Sequence, residues 1–290
     1  MTRCGIVAVV GAPNAGKSTL LNRLVGQRLA IVSPRAQSTR HRVVGIVSRE
    51  HDQLVFTETP GLMDPRYHLQ RAMKHESFQA LHDADVVAFL VDASRADAPG
   101  PELLTTLGAP SNRTLVVVLN KTDVASPGLL HDLRARYPEA IEISAASGAG
   151  VESMVDRLAQ LIPESPFLYN ADDASTQSTR FFVCEAIREA GFEQLDDELP
   201  YSVLCDIDEF REGQNPVYIR ATVYVERDSQ KRILIGQGGR RIREIGKAAR
   251  AKVEPLIDGP VYLDLWVKVL PNWRRNVATL QRFGFTLPTE

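Results

Sequence analysis

Residues 11 to 18 read Gly11-Ala12-Pro13-Asn14-Ala15-Gly16-Lys17-Ser18, and this stretch decides the fold. It fits G-x-x-x-x-G-K-[ST], the phosphate-binding P-loop. Its glycines let the backbone curl until several N–H groups converge on phosphate oxygens. The positive end of the helix that follows adds to that field. Lys17 is placed to neutralise the β- and γ-phosphates, and the Ser18 hydroxyl to meet Mg2+. The flanks agree. Gly5 to Val10 is an apolar run that reads as a buried strand, and Thr19 to Val25 puts its leucines on one helical face.

The whole chain sets bounds around that loop. Its 290 residues suggest two domains. Hydrophobic content of 44% and charged content of 24% are ordinary for a globular chain. A formal net charge of -2 excludes a general affinity for polyanions, so any nucleic-acid surface must be a local patch. Cys4, Cys184 and Cys205 are few, odd in number and not in metal-ligand spacing. They read as buried apolar thiols in a reduced, cytosolic setting. No apolar run reaches the roughly 18 residues of a membrane-spanning helix. Met1-Thr2-Arg3 leads directly into the first strand and leaves no room for a signal peptide. The sequence leaves open a peripheral contact with the inner face of the cell membrane.

Downstream of the P-loop helix, residues 27 to 40 carry Pro34 and little periodicity, which predicts a mobile loop. Alternating runs at 41–49 and 53–59 predict a hairpin turning at Glu50-His51-Asp52. The second run ends in Glu58-Thr59-Pro60-Gly61. Helices are expected at 67–82, 101–107, 128–137 and 151–161. Strands are expected at 85–91, 114–119 and 140–143. Strands alternating with helices mean a mostly parallel sheet covered on both faces. Ligands bind such sheets at the carboxyl ends of the strands.

Asn120-Lys121-Thr122-Asp123 sits at one such end. A buried carboxylate at Asp123 accepts hydrogen bonds from guanine N1–H and the 2-amino group. Adenine offers neither donor, so ATP is rejected by the unpaired-group penalty. Lys121 lays its aliphatic stem along the base, and Asn120 ties loops together.

The set of P-loop, loop threonine, x-x-x-Gly, Asn-Lys-x-Asp and Ser-Ala resembles the GTP-binding segments of translation-factor-type GTPases. The resemblance implies that GTP and GDP are the ligands and that Gly11, Pro13 to Thr19, Glu58, Gly61, Asn120, Lys121, Asp123 and Ser144 to Ala146 bind them. Thr39, with Ser38 as its rival, would close over Mg2+ and the γ-phosphate; Ser18, Thr39 and Glu58 form the metal set. Gly61 would donate its N–H to the γ-phosphate. Ser144 and Ala145 would meet guanine O6 through backbone or hydroxyl groups. Two features depart from the usual pattern. Similar proteins carry Asp where this chain has Glu58, whose extra methylene moves the carboxylate outward by about 1.5 Å and predicts an altered Mg2+ dependence. Leu62 follows Gly61 where several GTPases place a water-orienting Gln. GTPases with an apolar residue there can hold K+ through the P-loop Asn, so Lys17, Thr39, Gly61 and Asn14 are the catalytic candidates. Asn14 reads equally as a loop residue making local hydrogen bonds.

Residues 163 to 179 form a Pro-bearing, small-residue stretch that reads as a linker or an exposed crossover. Beyond it the pattern restarts: a helix at 180–190 ended by Gly191, strands at 201–210 and 217–227, a helix from about 229, another at 241–253, a strand at 261–270 and a last helix at 272–283. Ile235-Gly236-Gln237-Gly238-Gly239-Arg240-Arg241-Ile242 contains the Gly-x-x-Gly loop that in KH domains clamps about four single-stranded nucleotides. Nine Lys or Arg and two acids between Arg227 and Lys252 make a local charge of +7. With the α-β-β-α-α-β order, that patch reads as an RNA surface centred on Ile235 to Arg241, Arg243 and Lys247. Trp266 and Trp273 read as core or packing residues.

The loop stretch Ala36-Gln37-Ser38-Thr39-Arg40-His41-Arg42, the sequence around Gly236, Val261-Tyr-Leu-Asp-Leu-Trp-Val-Lys-Val269 and Trp273-Arg-Arg-Asn276 closely resemble the Era family of bacterial ribosome-assembly GTPases, over nearly the whole chain. The resemblance implies an α/β P-loop GTPase domain at 1–165, a linker at 166–180 and an α+β type II KH domain at 181–290. It also implies binding near the 3′ end of 16S rRNA and a role in maturing the 30S subunit.

Overall fold

The computed structural model describes residues 2–109 and 113–288; the outer ends of the two expected domains, residues 1 and 289–290, lie outside these. The chain divides into two compact units, one of Met1–Arg66, Gln70–Thr176 and Pro288–Glu290, the other of Tyr67–Leu69 and Gln177–Leu287.

The first unit is built on six strands: β1 (Arg3–Gly11), β2 (Val43–Ser48), β3 (Asp52–Glu58), β4 (Val86–Asp92), β5 (Thr114–Asn120) and β6 (Ile141–Glu142), in the order β2-β3-β1-β4-β5-β6. Only β2 runs antiparallel to its neighbour. The central β1 and β4 bury nearly every residue, as apolar runs in a parallel sheet covered on both faces must. Helices α1 (Lys17–Val25), α2 (His68–Asp83), α3 (Glu102–Thr106), α4 (Pro127–Arg136) and α5 (Val151–Leu161) connect them. The register pairs Val9 with Glu58 and Asp92 with Asn120. The P-loop, Glu58, Asp92 and Asn120 therefore share the carboxyl edge of the sheet.

Two expectations need correction here. Residues 27 to 40 are irregular but anchored: Leu29, Ala30, Ile31, Thr39 and Arg40 are buried. Asn22 holds the start of this loop, accepting from Leu29 and Ala30 N–H and donating to Ala30 O, each at 2.8 Å. The linker is likewise fastened along much of its length. Gln53, fully buried, accepts from Leu168 and Tyr169 N–H at 2.9 and 3.0 Å and donates to Tyr169 O at 2.9 Å. Ile46 N–H donates to Ala174 O, so the linker covers the open edge of β2.

The second unit runs α6 (Thr179–Gln194), α7 (Leu199–Ser202), β7 (Leu204–Arg211), β8 (Val217–Val225), α8 (Asp228–Ile235), a single turn over Gln237–Gly239, α9 (Arg240–Ile257), β9 (Val261–Val269), a turn at Trp273–Arg275 and α10 (Val277–Arg282). The sheet order is β7-β8-β9, with β7 antiparallel and β9 parallel to β8. Val183 and Ile187 of α6 and Ile245, Ala249 and Val253 of α9 pack on Ile219, Ala221 and Val223 of β8. Gly191 does not end α6. The helix runs on to Gln194 because Phe192 and then Leu195 continue its buried side. The expected last helix is split into a turn and α10, and Tyr201 belongs to α7 rather than to a strand. Trp273 is core, its Nε1–H donating to Ser202 O at 2.9 Å. Trp266 is not: it stands 54% exposed on the sheet face away from the helices. Cys4 and Cys205 are buried, and Cys184 is half-buried.

Candidate functional site

The P-loop leaves β1 through Gly11 (φ 153°) and enters α1 through Asn14 (φ 64°) and Gly16 (φ 96°). A Cβ on Gly16 would lie 2.2 Å from Asn120 Nδ2, so glycine is required for backbone approach as well as for conformation. Lys17 folds back inside the loop, donating to Gly11 O at 3.2 Å and Ala12 O at 2.9 Å. Burial pulls its ammonium down to about 8, against the opposing pull of Glu58. A cavity of about 400 Å3 opens beside it, lined by Ser18, Thr19, Thr39, Glu58, Gly61 and Lys121 among others.

Three residues far apart in sequence meet at that cavity. Ser18 Oγ and Thr39 Oγ1 donate to Glu58 Oε1 at 2.5 and 3.0 Å and lie 3.2 Å apart. The longer side chain of Glu58 thus reaches the P-loop hydroxyl directly. Thr39 belongs to this group. Gly61 packs against the loop so closely that a Cβ would lie 2.8 Å from Pro13 Cα. Leu62 turns away: its N–H donates to Gly11 O at 3.1 Å and its side chain is buried against Ala8, Val10 and Phe89. Asn14 Nδ2 donates to Pro34 O at 2.8 Å, the local loop contact.

The Asn-Lys-x-Asp segment follows β5. Asn120 is buried and bridges two loops, donating to Ala15 O at 2.8 Å and accepting from Ala145 N–H at 2.9 Å. Lys121 takes a left-handed φ of 66° and pairs with Asp92 at 2.5 Å. Burial alone would raise the Asp92 carboxyl, but its bonds from Lys121 and Ser94 outweigh that and hold it below the ordinary range. Asp123 is exposed, not buried as the sequence suggests. It stands in the turn past the strand. In the Ser144 loop, Ser144 Oγ accepts from Ser147 N–H at 3.1 Å and Ser144 N–H donates to Ala149 O at 2.9 Å. Reasoning from sequence missed Asn22 and Arg23, the latter donating to Ala145 O at 3.3 Å and to Ala146 O. No periodicity or motif marks either residue.

In the second unit the Gly-x-x-Gly loop joins α8 to α9. Gly236 (φ 72°), Gly238 (φ 57°) and Gly239 (φ 75°) all lie in the left-handed half of conformational space. A Cβ on Gly236 would meet Arg241 Cβ at 2.8 Å, whereas one on Gly238 would point into open space. Gln237, Gly238, Arg240, Arg243, Lys247 and Arg250 are exposed, while Ile235, Gly236, Gly239 and Arg241 are half-buried. Arg240, Arg243, Lys247 and Arg250 recur at helical spacing along one face of α9. The patch is smaller than the charge count implies. Lys252 is tied to Glu189 and Glu193 at 3.2 and 2.7 Å, Arg240 pairs with Glu244, and Arg241 donates to Ile233 O. Among the described residues, no group of three His, Cys, Asp or Glu could hold a metal, and no helix is long and apolar enough to cross a membrane.

Comparison with known proteins agrees with both units. A family model described as "50S ribosome-binding GTPase" matches residues 6–121, and a KH-domain model matches 198–274. GTPase Era of Halothermothrix orenii is 37% identical over 289 residues, and that of Carboxydothermus hydrogenoformans 37% over 292. Each alignment covers 98% of both chains. Two solved structures superpose with a TM-score of 0.92 at 36% identity, covering 99% of this chain and 100% of theirs. One is a variant of Era from Aquifex aeolicus bound to GDP·AlF4−; the other is Era with MgGDPNP and nucleotides 1506–1542 of 16S rRNA. Likeness of this degree across both units means that the chain belongs to the Era family of GTPases.

Proposed function

We propose that this GTPase is a GTP-driven switch that binds single-stranded RNA near the 3′ end of 16S rRNA and assists maturation of the 30S subunit. One observation carries the reading. The Ser18–Thr39–Glu58 cluster and the Gly236–Gly239 loop occur in one chain that matches, end to end, a relative solved with both MgGDPNP and 16S rRNA. The first domain's family model is described by the large subunit; the relative covers both domains, so we follow its small-subunit RNA.

Backbone N–H groups of residues 13 to 19 and the Lys17 ammonium hold the phosphates. The oxygen donors Ser18, Thr39 and Glu58 suit Mg2+, which when bound spreads charge between the β- and γ-phosphates. Gly61 N–H faces the γ-phosphate. Asp123 reads guanine N1–H and the 2-amino group, the Lys121 stem covers the base, and the Ala146 N–H, in the loop that begins Ser144-Ala145, serves O6. Ile235 to Arg241, Arg243 and Lys247 clamp the RNA backbone.

With Leu62 in the core, no side chain there orients water, and intrinsic hydrolysis is slow. We assign K+ stimulation to Asn14, whose amide lies against the Pro34 carbonyl. Hydrolysis is expected to be faster in KCl than in NaCl at equal ionic strength, and equal rates contradict this. Glu58→Asp is expected to shift the Mg2+ titration of hydrolysis. The rival function is a passive GTP-holding RNA-binding module. Multiple-turnover phosphate release, measured with and without RNA, separates the two; negligible turnover in both favours the rival. We place the protein in the cytoplasm with its rRNA partner; contact with the inner face of the membrane is checked by flotation with phospholipid vesicles.

A further inference from the structure

We propose that Arg23 is a positioning residue for guanine recognition, acting through the peptide group that joins Ala145 to Ala146; the inference rests on the guanine-site reading above. Arg23 lies in the last turn of α1. Its Nε–H donates to Ala145 O at 3.3 Å and its second amino group to Ala146 O. Thr19, Val32, Arg23 and Ala145 border one cavity of about 570 Å3.

The chemistry turns on which N–H is left for the base. Ser144 N–H donates to Ala149 O at 2.9 Å. Ala145 N–H is held by Asn120 Oδ1. Ser147 N–H is held by Ser144 Oγ. Among the described residues, Ala146 N–H has no such partner. Its own peptide carbonyl is Ala145 O, the atom that Arg23 grips. A charged donor on the carbonyl of a peptide polarises the N–H at its other end and fixes the plane in which it points. Arg23 therefore holds from behind the one donor free for guanine O6. Gly148, at φ 93°, leaves the room: a Cβ there would sit 3.4 Å from the Arg23 guanidinium. The grip reaches two adjacent carbonyls with two N–H groups of one planar fork, whose fixed geometry a rotating ammonium lacks.

The test compares three diphosphates. GDP and inosine 5′-diphosphate carry O6; 2-aminopurine riboside 5′-diphosphate lacks it. Arg23→Ala is expected to weaken GDP and inosine diphosphate by about 3- to 10-fold, the range of one hydrogen bond, and the 2-aminopurine nucleotide by less than about twofold. Arg23→Lys should recover part of the loss on the first two. A loss equal on all three ligands means that Arg23 only supports the pocket, and no loss on any means that the loop holds its shape alone; either overturns the proposal. If the unmodified protein itself binds inosine diphosphate no better than the 2-aminopurine nucleotide, the guanine-site reading fails instead.

Discussion

Lys17 carries a burial cost that a bound phosphate removes. Its ammonium sits at about 8 rather than in the ordinary lysine range, because desolvation disfavours the charged form. Phosphate oxygens favour that form, so nucleotide binding pulls the group back up. Below pH 8 the free protein is already protonated there, and binding takes up no proton. Above pH 8 binding must first protonate Lys17, so affinity falls as pH rises. Titration with a fluorescent GDP analogue should show about tenfold weaker binding at pH 9 than at pH 7; a flat profile contradicts the assignment. Asp123 makes a second prediction. Asp123→Asn replaces an acceptor with a donor and should move preference from guanine to xanthine nucleotides in a competition assay, and unchanged GDP affinity would refute the base assignment. Both residues were legible because their chemistry lies in short local spacing. Asn22, Arg23 and the Asn120 bridge from Ala15 to Ala145 were only partly legible or not at all. The Arg23 partners lie 122 and 123 residues away, and a polar side chain bonded across the fold leaves no periodic trace.

Elements that bury one face announced themselves, and those decided by tertiary polar contacts did not. The α5 helix was readable to the residue because Val151, Met154, Val155 and Leu158 repeat at helical spacing. The loop at 27–40 and the linker at 163–179 looked loose because both are poor in periodicity, yet Asn22 and Gln53 fasten them. The Gly-x-x-Gly loop offers a clean test at this level. Gly238 has a φ of 57° with nothing within 4 Å of a Cβ, and Asp tolerates that conformation better than most residues. Gly238→Asp should therefore fold, keep GTP binding, and lose binding of a single-stranded RNA at least tenfold, as measured by filter binding or anisotropy. The variant puts a like charge against phosphate. Loss of GTP binding as well would mean that the substitution unfolds the protein and the loop assignment is untested by it; Gly238→Ala, which adds no charge, would then be expected to bind RNA within a few-fold of the unmodified protein.

For the whole molecule, the claim is that two glycine-rich loops on one chain are thermodynamically linked. On the proposed reading GTP is expected to order the segments around Thr39 and Gly61, and those segments already meet the P-loop through Glu58 and Pro13. Linkage requires that RNA bind the GTP and GDP states with different affinity, and then by necessity that RNA alter nucleotide affinity by the same factor. The most direct measurement is the affinity of the protein for a 16S rRNA 3′-terminal fragment with saturating GDPNP and, separately, with saturating GDP. The switch account predicts tighter binding with GDPNP, by about 5-fold or more, the lower end of ordinary allosteric coupling. Equal affinity in the two states would contradict it and leave a GTPase whose RNA binding is independent of its nucleotide.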